Sequence, residues 1–164
     1  MTLVTHALLP LAIGRKWLRR RNGTPLFKEA GIVAFCGILP DVLSPHIYLE
    51  ARYELLSHTL WAWLAFTALV LLAGRVWKAR INSRLQILCI AAYAMHLACD
   101  MISGGTALFY PLSPTIHGGH FISYLMWYVS DVLLFLYAWL EMRVLSRLRQ
   151  RSSPAAALDE AAGN

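Results

Sequence analysis

A histidine and an aspartate four residues apart, His96 and Asp100, are the residues of this sequence best suited to chemistry. Residues at i and i+4 of an α-helix lie on one face, so this spacing places an imidazole beside a carboxylate. Imidazole nitrogen and carboxylate oxygen suit zinc, and also manganese or iron. The pair therefore predicts two adjacent metal ligands, and a third ligand from another helix would complete an open site.

Four more ionisable side chains lie within apolar stretches of the sequence. They are His6, Asp41, His58 and Asp131. Counted at about 1.5 Å per residue from the nearest basic residue, all of these groups except His6 lie roughly 18 to 25 Å deep. They would share one layer of a hydrocarbon core about 30 Å thick. Because ionisable groups in a membrane are costly and usually face the bundle interior, we expect one shared site.

Each residue also has a simpler interpretation. A single histidine on an apolar face usually bonds to a backbone carbonyl or a nearby hydroxyl group. Asp41 could cap a helix, and Asp131 could pair with an arginine or with a hydroxyl such as that of Ser130. His117 and His120 flank two glycines in a predicted loop, where solvation explains them. The coincidence in depth favours the shared site over several independent polar contacts.

The composition indicates which kind of element holds these residues. The chain has 164 residues, of which 58% are hydrophobic and 15% are charged. A soluble domain averages about 25% charged residues. These values exclude a disordered chain, a coiled coil and an ordinary soluble domain, and they leave a small integral membrane protein. Cys36, Cys89 and Cys99 lack CxxC spacing and are predicted to be buried thiols.

Five apolar segments predict the fold. They cover residues 2–14, 30–50, 55–74, 85–103 and 121–140. The first is short for a membrane span, which needs about 20 residues. Pro40 and Pro45 predict a helix that ends near Leu39 and continues as a broken extension. The expected fold is all-α, a small polytopic membrane bundle of four main helices and a short N-terminal helix. Residues 1–150 form the membrane-embedded domain, and residues 151–164 form a disordered cytoplasmic tail.

The basic residues predict the orientation of the bundle. The net charge is +6, and the Lys and Arg residues cluster at the ends of apolar segments. By the positive-inside rule, residues 15–28, 75–84 and 143–164 are cytoplasmic, and residues 51–54 and 104–120 lie outside. This clustering accounts for the positive charge without nucleic acid, so the predicted partner is the lipid bilayer.

The ordered motifs resemble those of the YdjM-like family of bacterial inner-membrane, metal-dependent hydrolases. The similar stretches are Thr5-His6, Leu39-Pro40-Asp41, Ser57-His58-Thr59, His96 to Asp100, and Gly105 through Tyr110-Pro111. The resemblance covers roughly residues 1–115. The second acid that often follows Leu-Pro-Asp in the family is Leu43 here. Arg52-Tyr53-Glu54 precede the histidine motif in place of His-Arg-Gly.

The resemblance implies a multi-pass protein of the bacterial inner membrane with hydrolase activity. Its metal ligands would be Asp41, His58, His96 and Asp100, and the cofactor a divalent metal, with zinc favoured. His6 and Asp41 are the candidate catalytic residues, with His6 as a further ligand or a general base. A metal-activated water would attack an ester or phosphoester of a lipid-like, amphiphilic substrate near the outer leaflet.

A non-enzymatic membrane protein is the alternative function. Its buried polar residues would form a hydrogen-bonded network in a structural partner or a small transporter. Four or five short spans are few for a monomeric transporter, and the sequence shows no inverted repeat. The hydrolase is therefore the preferred hypothesis.

Overall fold

The computed structural model describes residues 2–18, 26–45, 53–77 and 81–145, and these form an all-helical structure. The helices are α1 (Leu3–Ile13), α2 (Phe27–Leu43), α3 (Leu60–Val76), α4 (Ser83–Ile102) and α5 (Tyr124–Trp139). Short 3₁₀ turns cover Gly14–Lys16 and Leu56–His58, and a π-helical turn covers Leu140–Leu145. Within these ranges there is no β-strand, only two isolated antiparallel bridges. The all-α prediction is confirmed.

Helix α2 continues through Pro40 to Leu43, so the predicted end near Leu39 is wrong. Proline lacks an N–H and removes the hydrogen bond that the Cys36 carbonyl would accept. Pro40 nevertheless lies in the last turn, where the Ser44 N–H donates to its carbonyl at 3.2 Å. Little helix follows the proline, so the helix tolerates it. This continuation keeps Asp41 on α2 instead of on a broken extension.

His58 lies in the 3₁₀ turn before α3, whereas the sequence predicted it within the helix. Thr59 caps α3, because its hydroxyl accepts from the Ala62 N–H at 3.3 Å. The same hydroxyl donates to the Leu56 carbonyl at 2.7 Å. The threonine thus fixes both the start of α3 and the turn that carries His58.

The core lies where α2 packs against α4, with α1 against both helices. The buried side chains of this core are those of Leu18, Val33, Cys36, Leu85, Leu88, Cys89 and Ala92. All three cysteines are buried free thiols, as predicted. Gly37 permits the close approach of α1 to α2, because a Cβ there would overlap the His6 carbonyl oxygen. This packing brings His6 toward α4.

One described helix, α4, is long and apolar enough to cross a membrane, by length and composition alone. Helices α3 and α5 are apolar but have 17 and 16 residues. Both present large apolar side chains on the outside, including Leu69 (65% exposed) and Leu133 (61%). The predicted tail, residues 151–164, and the basic residues 19–21 lie outside the described residues.

Candidate metal centre

Five of the six ionisable residues singled out in the sequence meet at one place. His6 comes from α1, Asp41 from α2, His58 from the turn before α3, and His96 and Asp100 from α4. The three histidines and Asp100 are at most 2% exposed. The Asp41 side chain is 19% exposed. The result is a buried cluster in which one carboxylate is more accessible than the other groups.

The donor atoms of this cluster converge closely. The Nε2 atoms of His58 and His96 lie 3.3 Å apart. An oxygen of Asp41 lies 3.1 Å from the first nitrogen and 3.6 Å from the second. An oxygen of Asp100 lies 3.5 and 3.2 Å from the same two nitrogens. Ligands about 2.0–2.1 Å from a tetrahedral zinc stand about 3.3–3.4 Å apart, so these spacings suit such an ion.

The hydrogen bond of His96 fixes its tautomer. Its Nδ1 lies 2.8 Å from the Gly37 carbonyl oxygen, which only accepts hydrogen bonds. Nδ1 therefore carries a proton, and in the neutral form of the ring the Nε2 lone pair faces the cluster. Histidines that bind metal commonly have their other nitrogen held in this way. Nδ1 of His58 lies 3.0 Å from the Ser57 hydroxyl, which either donates or accepts.

His6 stands beside the four donors and contacts Asp100 from the other side. Its Nε2 lies 3.5 Å from Asp100 Oδ1, the oxygen that does not face His96. The centroids of the His6 and His96 rings are 3.9 Å apart. Nδ1 of His6 is buried and has no hydrogen-bond partner within the described part of the chain. In the tautomer that donates to Asp100, this nitrogen is available to accept a proton.

Two residues that sequence reasoning missed hold the turn carrying His58. The Tyr93 hydroxyl donates to the Ser57 carbonyl at 2.6 Å, and the Thr106 hydroxyl donates to the His58 carbonyl at 3.0 Å. Tyr93 precedes His96 by three residues on α4, so it shares a helix face with that histidine. That spacing was the available signal for Tyr93. Thr106 follows α4 in an irregular segment, and its contact depends on the tertiary fold.

Asp131 is not part of the cluster, although its depth suggested that it would be. Its two carboxylate oxygens accept hydrogen bonds from the hydroxyls of Thr2 and Thr5, each at 2.5 Å. Asp131 thus pairs with hydroxyl groups, but those of α1 and not Ser130, which donates to the Met126 carbonyl. Depth along a helix does not determine the side toward which a residue points. Asp131 joins α5 to α1.

The donor chemistry fits a divalent metal. Among the described residues there are two groups of three, and within each group the donor atoms all lie within 4.8 Å of one another. One contains His6, His96 and Asp100, and the other contains Asp41, His58 and His96. Imidazole and carboxylate donors together are typical of zinc, manganese and iron sites. His96 belongs to both groups and is therefore the centre of the cluster.

The fold and the cluster define an α-helical protein with an apolar surface and a buried histidine–aspartate site that could hold a metal ion. Residues 1–158 match the family model of the YdjM inner membrane protein, and the chain belongs to this family. The resemblance noted in the sequence is thereby confirmed, and the match extends well beyond residue 115. It also identifies the chain as a member of a membrane protein family. No curated protein and no solved structure matches it.

Proposed function

We propose that this protein is a multi-pass, metal-dependent hydrolase of the bacterial inner membrane. The observation that carries the proposal is that one Asp41 oxygen and one Asp100 oxygen each lie 3.1–3.6 Å from the Nε2 atoms of His58 and His96, which suits ligands of a shared ion. The ligands in this proposal are Asp41, His58, His96 and Asp100. The hydrogen bond from His96 to the Gly37 carbonyl supports it, because the ring is held ready to bind through Nε2.

The metal, Asp41, Asp100 and His6 have different roles in the proposed reaction. A divalent metal, zinc by preference, supplies activation of water and polarisation of an ester or phosphoryl oxygen when bound. Asp41 is the most exposed member of the cluster, so water and substrate approach the site past its carboxylate. Asp100 orients His6 through Nε2, and His6 accepts a proton at Nδ1 as the general base.

The position of the site favours a lipid-like substrate. Asp100 lies 17 residues after Ser83, which is about 26 Å along α4. Arg84, at the other end of that helix, belongs to a basic cluster predicted to be cytoplasmic. The site then lies in the outer half of the membrane, with α3, which packs against α4, and α5, which packs against α1, as further spans. An ester or phosphoester near the outer leaflet would reach it without leaving the bilayer.

A non-enzymatic polar network remains the second candidate, and two contacts favour it. Asp131 is bound by two threonine hydroxyls, and Glu141, 5% exposed, is bound by Arg15 at 2.7 Å. Carboxylates elsewhere in this chain therefore do join helices through contacts with protein groups alone. In this function the histidine–aspartate cluster would be a third such contact.

Metal analysis of the detergent-purified protein separates the two functions. We expect bound zinc in the unmodified protein, loss of most of it in His96→Ala, and retention in His120→Ala, an exposed loop histidine. The loaded protein should also hydrolyse p-nitrophenyl acyl esters or bis(p-nitrophenyl) phosphate, and a chelator should abolish this activity. Equal metal content in the two variants would contradict the site. A loaded protein inactive on both compounds would contradict the hydrolase.

A further inference from the structure

The connection between α4 and α5, residues 103–123, has no ionisable side chain of Asp, Glu, Lys or Arg, and its only histidines are His117 and His120. The sequence contains no Asp, Glu, Lys or Arg from residue 101 to residue 130. Loops that face water normally carry charged residues. Such residues make up 15% of the whole chain. The prediction that residues 104–120 lie outside the membrane therefore does not explain the composition of the connection.

Four large apolar side chains of this connection point away from the protein. They belong to Phe109 (38% exposed), Leu112 (78%), Ile116 (47%) and Phe121 (76%), here named the apolar crest. The exposed apolar surface continues at both ends of the connection, with Ile102 of α4 at 41% and Leu125 of α5 at 72%. The crest is thus continuous with the outer surfaces of two apolar helices.

Part of the backbone of the connection is hydrogen-bonded within the protein, which lowers the cost of placing a non-helical segment at the edge of the lipid. Thr106 and His117 exchange two backbone hydrogen bonds, at 2.9 and 2.8 Å. The Gly119 N–H donates to the Met101 carbonyl at 2.8 Å, and the Phe121 N–H donates to the Ile102 carbonyl at 3.0 Å. These bonds fold the connection back onto the end of α4 and pair part of the backbone that carries the exposed apolar side chains.

The connection is also fixed to the candidate metal centre. The Leu60 N–H donates to the Leu108 carbonyl at 2.8 Å, and the Thr106 hydroxyl donates to the His58 carbonyl. The Tyr53 hydroxyl donates to the Gly104 carbonyl at 3.0 Å. The crest and the histidine turn therefore form one unit.

We propose that the apolar crest is a lipid-binding surface, inserted at the boundary between headgroups and acyl chains on the side of the membrane where the connection lies. The continuity with α4 and α5, the absence of Asp, Glu, Lys and Arg, and the partly paired backbone carry this inference. It goes beyond the proposed function, because it requires neither metal nor hydrolysis. Lipid held by the crest lies beside the turn that carries His58.

Spin labels on the crest test the proposal in liposomes of phosphatidylethanolamine and phosphatidylglycerol. Leu112→Cys and Phe121→Cys each receive a nitroxide, and Ser83→Cys, an exposed position at the other end of α4, is the matched control. The native cysteines are 5–7% exposed, so the labelled unmodified protein gives the background. Relaxation by oxygen, which concentrates in lipid, is compared with relaxation by a water-soluble nickel chelate.

We expect oxygen to relax both crest labels more strongly than the nickel chelate, and the reverse at residue 83. Stronger relaxation by nickel at either crest position would overturn the proposal. Protection from both reagents would also overturn it, because a protein partner would then cover the crest. Each variant must elute like the unmodified protein, and two crest positions keep the test valid if one variant does not reconstitute. Zinc content, measured on the same samples, tests the metal centre separately.

Discussion

Two carboxylates of this chain, Asp100 and Asp131, have different surroundings. Asp100 lies within 3.5 Å of nitrogen atoms of His6, His58 and His96. Asp131 accepts hydrogen bonds from two threonine hydroxyls. Imidazole nitrogens beside a carboxylate can bind a metal ion together with it, whereas the threonine hydroxyls satisfy Asp131 by donating hydrogen bonds to it. The two residues are therefore a matched pair for testing metal binding at the scale of one side chain.

Asp100→Asn should lower metal affinity by at least about 10-fold, because loss of a residue that only hydrogen-bonds to a metal ligand already lowers the affinity by this factor. The substitution keeps the shape of the side chain and removes the cost of a buried anion. The melting temperature of the metal-free protein should thus stay the same or rise. Bound zinc and melting temperature in detergent, with and without chelator, provide the measurement. Unchanged zinc with a lower melting temperature would make Asp100 a structural residue.

Asp131→Asn should give the opposite pattern. Its zinc content should equal that of the unmodified protein, because Asp131 lies outside the cluster. The melting temperature should fall, since two hydrogen bonds to a charged acceptor weaken, at a cost of about 1 kcal/mol. Bound zinc and melting temperature in detergent are again the measurements. Loss of zinc from this variant would show that the contact between α5 and α1 positions the metal centre.

At the scale of elements, Gly37 sets the distance between α1 and α2. Gly37→Ala should lower the melting temperature and the zinc content together, because the added methyl overlaps the His6 carbonyl oxygen and contacts Pro10. Overpacking of this kind costs about 1–3 kcal/mol. Gly31→Ala on the same helix is the control, since no atom lies within 4 Å of a Cβ there. It should be neutral or slightly stabilising. Similar losses in both variants would contradict this account.

The contact between Arg15 and Glu141 joins the turn after α1 to the turn after α5. The Glu141 side chain is 6% exposed, and the Arg15 side chain is 46% exposed. Arg15→Gln should lower the melting temperature, because it takes a cation from a buried carboxylate. Adding Glu141→Gln should restore part of the loss, and zinc content should not change in either variant. A double variant that melts below Arg15→Gln would contradict the pairing.

The sequence predicted the helices better than the connections between them. Apolar runs identified α3, α4 and α5 to within a few residues, because long hydrophobic segments depend on composition alone. The proline rule failed at Pro40, where the remaining helix was too short for the lost hydrogen bond to matter. The turn at His58 was missed, although the helix-capping residue Thr59 directly follows it. Its further hydrogen bonds come from Tyr93 and Thr106, which are distant from it in the sequence.

At the scale of the whole molecule, depth along the helices grouped the cluster residues but also included Asp131. Helix rotation about its own axis decides which residues of one layer meet, and rotation depends on packing against the neighbouring helices. The contact of α5 with α1 turns Asp131 toward Thr2 and Thr5. Sequence spacing fixes the angle between residues of one helix, such as His96 and Asp100, and it does not fix angles between helices.

The orientation in the membrane gives a prediction for the whole chain. A cysteine at Glu54, exposed in the turn before α3, should react with an impermeant thiol reagent from outside intact cells. A cysteine at Ser83 should react only after the membrane is permeabilised, because the adjacent basic cluster predicts a cytoplasmic location for that end. Both residues are exposed, so access to the thiol does not bias the comparison. The reverse labelling pattern would show that the bundle has the opposite orientation, with the histidine–aspartate cluster in the inner half of the membrane.

Metal binding should stabilise the whole fold, since its ligands come from α2, the turn before α3, and α4. A ligand present at 100 times its dissociation constant adds about 2.7 kcal/mol. The melting temperature should thus rise with added zinc and reach a plateau. His96→Ala should show no such rise, and His120→Ala should respond like the unmodified protein. An equal response in the two variants would place zinc elsewhere on the protein.

The acceptor that holds His96 is a main-chain carbonyl, that of Gly37. Every amino acid has this carbonyl, so no change in the codon for residue 37 deletes the acceptor. A saturation screen would therefore identify position 37 only by the size of the new side chain, and the ring would lose its partner only when the helix itself moves. The fold itself therefore sets the tautomer of His96, and neutral substitutions of neighbouring side chains do not change that tautomer.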